Sequence, residues 1–247
     1  TLRGHHVTLF EQSEQLGGQT LIAKLAPGRT DFDGAIRWSS LQCRKLGVDI
    51  RLATRATLET ILAERPDAVV IATGATARAP QLAGQEGHQL ISAWEVLQNR
   101  ARDLGQTVLV IDEEYGHQGP TTAEFLVDAG KEVDLITSQE TIGNFLGATT
   151  RPPLLRRLFK KRVQIFYHLE ARSIANGVLQ ARNIWSGDMH EVGPYDSFVY
   201  AYGGIRLDEL SEPLKARGIS VEVVGDAFAP RSLQHAILEG HQLGRKL

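Results

Sequence analysis

Two pairs of segments repeat one another at nearly constant offset, and that repeat limits the fold more than any other feature of the chain. Gly4-His5-His6-Val7-Thr8-Leu9-Phe10-Glu11 matches Gly130-Lys131-Glu132-Val133-Asp134-Leu135-Ile136-Thr137 in its glycine and its alternating apolar strand. Asp67-Ala68-Val69-Val70-Ile71-Ala72-Thr73-Gly74 matches Asp196-Ser197-Phe198-Val199-Tyr200-Ala201-Tyr202-Gly203, each a short apolar run that closes on a glycine turn. Runs of this kind suit parallel strands covered on both faces. Gly130 is preceded by a strand at 107–111, a glycine-containing loop and a helix at about 121–129, the order that opens a Rossmann unit.

In the first copy only three residues precede the equivalent glycine, so one strand, one loop and most of one helix have no counterpart. The expectation is an α/β fold of two interleaved Rossmann-like lobes of the FAD/NAD(P)-binding type, the first truncated at its N-terminal βα unit, within a longer polypeptide. Residues 1–85 with 205–247 are expected to form an FAD- or ADP-binding-like lobe. Residues 86–204 are expected to form a degenerate NAD(P)-binding-like one. Elsewhere the spacing predicts a helix over 32–46 with Gly47 past its end, a strand at 48–52 and a short helix at 58–64. The Gly-, Ala- and Pro-rich stretch 75–89 reads as a linker. Pro152-Pro153 opens a basic helix, followed by strands at 163–167, 171–174 and 181–185 around an Asn176-Gly177 turn. A strand at 220–224 and a helix from about Leu233 close the chain.

Composition removes several classes of function. A net charge of -2 gives no footprint for a nucleic acid backbone, and the run Arg156, Arg157, Lys160, Lys161 and Arg162 reads as a solvated helix face. A single cysteine, Cys43, cannot build a disulfide within the chain or a Cys-rich cluster site. The eight histidines show no metal-binding spacing. No stretch of about 18 apolar residues offers a membrane span, and the expected location is the cytoplasm.

The residues that can carry chemistry fall in a definite order. Glu11 ends an inferred strand, where a carboxylate accepts hydrogen bonds from adenosine ribose hydroxyls; by itself it is equally a solvated strand end. Gly17 and Gly18, followed by Gln19, would let backbone N–H groups approach a pyrophosphate. Thr73-Gly74 ends a strand as a close-approach turn, and Gly225-Asp226 sets a carboxylate between an apolar strand and a helix, a place for sugar or ribityl hydroxyls. Each element alone is weak; their co-occurrence in order is the signal. In the second lobe, Glu114-Tyr115-Gly116-His117-Gln118-Gly119 keeps two glycines of a G-x-G-x-x-G loop but has Glu114 in the first glycine's place, behind Asp112 and Glu113. Three carboxylates there would repel a dinucleotide, and Thr137-Ser138 stand where a ribose-binding acid or a phosphate-binding Arg is expected.

With these residues, the chain resembles the carboxyl-terminal part of the trimethylamine dehydrogenase and 2,4-dienoyl-CoA reductase family, flavoproteins related to old yellow enzyme. The carriers are the Gly4 to Glu11 strand, Leu16-Gly17-Gly18-Gln19, Val70-Ile71-Ala72-Thr73-Gly74-Ala75, Asn183-Ile184-Trp185 and Gly225-Asp226-Ala227-Phe228-Ala229-Pro230-Arg231. The last two look most like the amine dehydrogenase branch. The resemblance implies nucleotide binding by Glu11, Gly17, Gly18, Gln19, Thr73, Gly74, Gly225 and Asp226, with no catalytic residue in this chain. It implies FAD or ADP as the nucleotide of the intact parent. FMN and an iron-sulfur cluster are expected only in an amino-terminal barrel of the same polypeptide, the first expected partner; an electron-transfer protein and a second copy of the chain are further candidates. The implied function is the nucleotide-binding part of a flavin-dependent oxidoreductase such as an amine or N-methyl amine dehydrogenase or demethylase. A working FAD- and NAD(P)H-dependent reductase module and a non-catalytic scaffold packing on the barrel are the alternatives.

Overall fold

The computed structural model describes residues 1–247 apart from Asn99. It is a mixed α/β fold whose main sheet is parallel, and it divides into two compact units: Thr1–Lys24, Arg29–Thr76 and Gly204–Leu247 form one, Leu25–Gly28 and Ala77–Gly203 the other.

The first unit holds two parallel strand pairs. Thr8–Phe10 lies beside Asp49–Arg51, with Leu9 opposite Ile50, and Ala68–Ile71 lies beside Ser220–Val223, with Val69 opposite Val221. Short strands Ala75–Ala77 and Gly204–Arg206 also pair. The helices are Thr20–Ala23, Phe32–Lys45, Leu58–Ala63, Ser211–Lys215 and Leu233–Lys246. Leu58–Ala63 starts at a reciprocal cap, in which Thr57 and Thr60 each accept the other's backbone N–H, satisfying donors that a helix start leaves free. The core is small: Ile61, Ile71, Leu214 and Ala227 are buried, with Leu58, Val69, Val221 and Val223 packed around them. Trp38 and Leu41 on one long helix, and Ile237 and Leu238 on the other, remain exposed.

The second unit is built on five parallel strands in the order Leu90–Ser92, Ser197–Ala201, Thr107–Asp112, Glu132–Ile136, Gln164–Phe166. Thr107–Asp112 sits at the centre, which is why Val108, Leu109, Val110 and Ile111 are all buried on both faces. Helices Gln118–Asp128 and Arg151–Lys160 pack on it, the latter with Pro in its first turn, where no N–H is missed. An antiparallel sheet of Leu169–Ala175, Val178–Asn183 and Met189–Val192 completes the unit.

The repeat has a backbone counterpart. Gly4 and Gly130 adopt φ of 92° and 85°, and Gly74 and Gly203 adopt 76° and 75°, left-handed conformations that a side chain would strain. Several expectations need correction. The 75–89 stretch is not linker throughout, because Ala75–Ala77 is a strand and the division between units falls after Thr76. Leu90–Ser92 and Met189–Val192 are strands without a long apolar run to announce them. The basic helix is not simply solvated either: Arg157 and Lys161 reach the buried Glu124 carboxylate at 2.7 and 2.9 Å. Those hydrogen bonds hold Glu124 below the usual carboxylate range despite the cost of its burial.

Candidate functional site

All eight residues singled out by the sequence lie in the first unit, where Gln19 ties three of the segments together. With its amide oriented to satisfy both neighbours, its oxygen accepts from the Ala75 N–H at 2.8 Å and its nitrogen donates to Asp226 Oδ2 at 3.3 Å. Gly74 leaves room for this side chain, since a Cβ there would come within 3.0 Å of the Gln19 amide group. The Thr73 hydroxyl donates to the Leu207 carbonyl, and the Gly74 carbonyl accepts from the Leu207 N–H at 3.0 Å, which fixes the strand exit. Asp226 Oδ1 accepts from the Arg231 N–H at 3.0 Å. The Gly225 N–H donates to Glu239 Oε2 at 2.7 Å, and that bond is the first cause holding Glu239 below the ordinary carboxylate range.

Glu11 and the Gly17-Gly18 turn belong to the same unit. Glu11 follows strand Thr8–Phe10, and its Oε1 accepts from the Ser13 N–H at 2.8 Å. The two glycines have different reasons to be there. A Cβ on Gly17 would press on Leu21 and Ile36, so this glycine serves helix packing, whereas a Cβ on Gly18 would meet nothing within 4 Å. The structure thus joins Gln19 directly to Asp226 and to Ala75, packs Gly74 against the Gln19 side chain, and commits Thr73 and Gly225 to hydrogen bonds with Leu207 and Glu239. Gln19 as a brace has no signal in sequence spacing, because its partners are 56 and more residues away.

The equivalent loop of the second unit is filled by the chain itself. Glu114 Oε2 accepts from the N–H groups of Gly116 and Gln118 at 3.0 and 3.1 Å, at the start of helix Gln118–Asp128. A carboxylate therefore sits on the donors that would receive a phosphate oxygen. Glu113 accepts from the Ser138 N–H and hydroxyl at 2.9 and 2.5 Å, and burial pushes its carboxyl above the ordinary range. Asp112 departs from the expectation of three repelling charges at one cradle. It is buried at the end of its strand, and burial first, then the Glu114 carboxylate, push it well above the usual carboxylate range, toward the neutral acid. The retained glycines serve these acids: a Cβ on Gly116 would lie 2.9 Å from Glu114 Oε1, and one on Gly119 would overlap the Asp112 carboxyl group.

No protein-family model matches the chain. An N,N-dimethylglycine/sarcosine dehydrogenase of Chromohalobacter salexigens is 38% identical over 167 residues, which are 65% of this chain and 24% of that protein. A bilirubin reductase of Mediterraneibacter gnavus is 31% identical over 242 residues, 98% of this chain and 37% of that one. Histamine dehydrogenase from Rhizobium sp. 4-9 superposes with a TM-score of 0.90 at 26% identity, over 100% of this chain and 41% of its own. The chain is a homologue of the carboxyl-terminal region of these oxidoreductases. It spans between about a quarter and two-fifths of the length of such relatives. Among the described residues, no helix is long and apolar enough to cross a membrane, and no group of three or more His, Cys, Asp or Glu could hold a metal ion.

Proposed function

We propose that the chain is the nucleotide-binding part of a flavin-dependent oxidoreductase, with an adenine nucleotide, FAD or ADP, held by the first unit and none held by the second. The observation that carries the reading is the contrast between the two loops: Gly18 opens onto free space, whereas Gly116 opens onto the Glu114 carboxylate. The first unit's residues fit such a nucleotide. Only Oε1 of Glu11 is engaged, by Ser13, so Oε2 can accept a ribose hydroxyl. The N–H groups of Gly17 and Gly18 donate to no acceptor among the described residues, which suits a pyrophosphate edge. Asp226, already accepting from Arg231 and Gln19, serves first to hold the loop and second to bound the polar side of the site.

FAD would bring hydride and electron-transfer chemistry, whereas ADP would bring none. The residues of this chain bind and orient; none is placed to move a proton to a substrate. We further read the first unit as a Rossmann-like lobe lacking one strand. Its sheet is split into two parallel pairs, and a strand between them would join all four into one sheet. A preceding barrel of the same polypeptide would supply that strand's surroundings and cover the exposed Trp38 and Leu41.

Amine or N-methyl amine oxidation is the substrate class favoured for the whole enzyme, because a dimethylglycine/sarcosine dehydrogenase and a histamine dehydrogenase are among its homologues. A working reductase module is the second reading, favoured by the similarity to a bilirubin reductase over nearly the whole chain. Denaturing the purified full-length enzyme and identifying the released nucleotides by chromatography tests the proposal; FAD or ADP beside the barrel cofactor is expected, and no adenine nucleotide would refute it. Calorimetric titration with NADH or NADPH separates the readings. A dissociation constant in the low micromolar range, about -8 kcal/mol, would favour the reductase.

A further inference from the structure

The second unit has a crevice where the order of its strands reverses. Chain order along its sheet changes direction between Thr107–Asp112 and Ser197–Ala201: the former leads on to Glu132–Ile136 on one flank, while the latter lies on the other. In parallel sheets the space outside the carboxyl ends of two such strands is where ligands settle. Glu113 follows the first of them and Tyr202 the second, and with Ser138 they line a cavity of about 560 Å³ walled by Leu82, Ala171 and Ile184.

The N–H groups that an anionic ligand would use at the two strand ends are already engaged. Ser138 gives its N–H and hydroxyl to Glu113, and the Gly116 and Gln118 N–H groups go to Glu114. Glu170 and Arg172 also line the cavity, but they pair with each other at 2.5 Å, and Arg182 reaches Glu170 at 3.1 Å. Glu113 has no Lys, Arg or His at ion-pair distance among the described residues, so one half-buried carboxylate faces the cavity without an ion-pair partner of its own, Arg172 being committed to Glu170. A buried charge in that position is costly until a cation or a proton reaches it. An aromatic ring and aliphatic walls beside it suit the alkyl part of an organic cation.

We propose that this crevice binds a small organic cation, an ammonium group with apolar substituents, ion-paired to Glu113 and lying against Tyr202. The proposal rests on the reading that the second unit holds no dinucleotide. Calorimetric titration of the full chain with n-butylammonium, n-butyrate, 1-butanol and NADH tests it. Butylammonium is expected to bind saturably, butanol weakly and butyrate not at all. Glu113→Gln should weaken butylammonium by more than about tenfold, since a charge-assisted contact is lost. The glutamine oxygen can still accept from Ser138, and an unchanged thermal midpoint would show that the fold persists. If that variant does not fold, the ammonium-over-butyrate preference of the unaltered chain decides, together with Tyr202→Leu, which should weaken butylammonium several-fold. Equal binding of butyrate and butylammonium, no saturable butylammonium binding, or an affinity untouched by Glu113→Gln in a folded protein would overturn the proposal. If NADH binds at low micromolar concentration, the reading of the second unit falls and takes the cation site with it. If neither NADH nor butylammonium binds, the cation site alone falls.

Discussion

The two units carry copies of the same strand-and-glycine plan, yet they differ in how each is held together. In the second, five strands in one parallel sheet bury Leu109, Ile111, Leu135, Ile136 and Phe198 completely or nearly so. In the first, the strands stay in separate pairs, and Val70, in the middle of Ala68–Ile71, is 43% exposed. The loops differ in the opposite sense. The well-packed unit has consumed its loop donors with its own acids, whereas the thinly packed unit keeps an open glycine and a half-engaged Glu11. A repeated topology therefore fixes where a ligand could sit, while a few carboxylates decide whether one is welcome.

The largest expected effect tests the packing half of this comparison. Phe198→Ala, at a side chain with no exposure, should destabilise the second unit by about 3–5 kcal/mol, whereas Val70→Ala should cost under about 1 kcal/mol. Urea unfolding followed by hydrogen exchange in each unit would measure both, and equal costs would break the distinction between the cores.

Next comes the pH dependence of the buried acid. The Asp112 pKa is raised in the folded state, so the native chain binds this proton more tightly than the unfolded one does. Its contribution is fully present below the unfolded value of about 3.9 and is lost as pH rises through the folded pKa. Asp112→Asn, which keeps an oxygen to accept from the Glu114 N–H, should remove that decline. A wild-type stability profile that parallels the Asp112→Asn profile between acid and neutral pH would contradict the assignment.

Much of this architecture was legible because hydrophobic runs and glycines report the backbone directly. The runs at 67–74 and 196–203 form parallel strands Ala68–Ile71 and Ser197–Ala201, and their terminal glycines share one left-handed conformation. Pro152-Pro153 marked a helix start for the plain reason that proline lacks the N–H which the first turn does not use. Side-chain partnerships were hidden. Glu124 gave no hint of its pairing with Arg157 and Lys161, since those three approach only when helices Gln118–Asp128 and Arg151–Lys160 pack. Asp112, Glu113 and Glu114 stand side by side in sequence as one acidic run, but the strand ends at Asp112, which is buried, and the loop beyond it carries Glu113 and Glu114 to separate sets of N–H donors.

The ribose contact sharpens the ligand half of the comparison. In the full-length enzyme, Glu11→Ala should remove charge-assisted hydrogen bonds of about 1.5–3 kcal/mol and weaken adenine nucleotide binding more than tenfold, while Glu11→Gln should be milder. Glu114→Ala in the second unit should leave that binding unchanged, because its carboxylate accepts from the Gly116 and Gln118 N–H groups of that unit's own loop. Retention of the nucleotide at unaltered affinity after Glu11→Ala would remove Glu11 from the site.

The smallest effect concerns Gln19, for which sequence order and geometry suggest different roles. Sequence order places it beside a pyrophosphate; geometry shows its amide bridging Ala75 and Asp226. If bracing is its work, Gln19→Ala loses two neutral or singly charged hydrogen bonds and leaves Asp226 with the Arg231 N–H alone. Each such bond is worth about 0.5–1.5 kcal/mol net, so the first unit should lose roughly that amount per bond in stability. Nucleotide affinity should then fall only a few-fold, and Gln19→Glu should be worse than alanine, because it would set a carboxylate against Asp226 at the same short distance. A direct phosphate contact predicts the reverse for alanine: affinity drops sharply and the unfolding midpoint stays put. Measuring both quantities on one preparation of the full-length enzyme distinguishes the two, since a brace acts on nucleotide affinity only through the stability of the loop it holds.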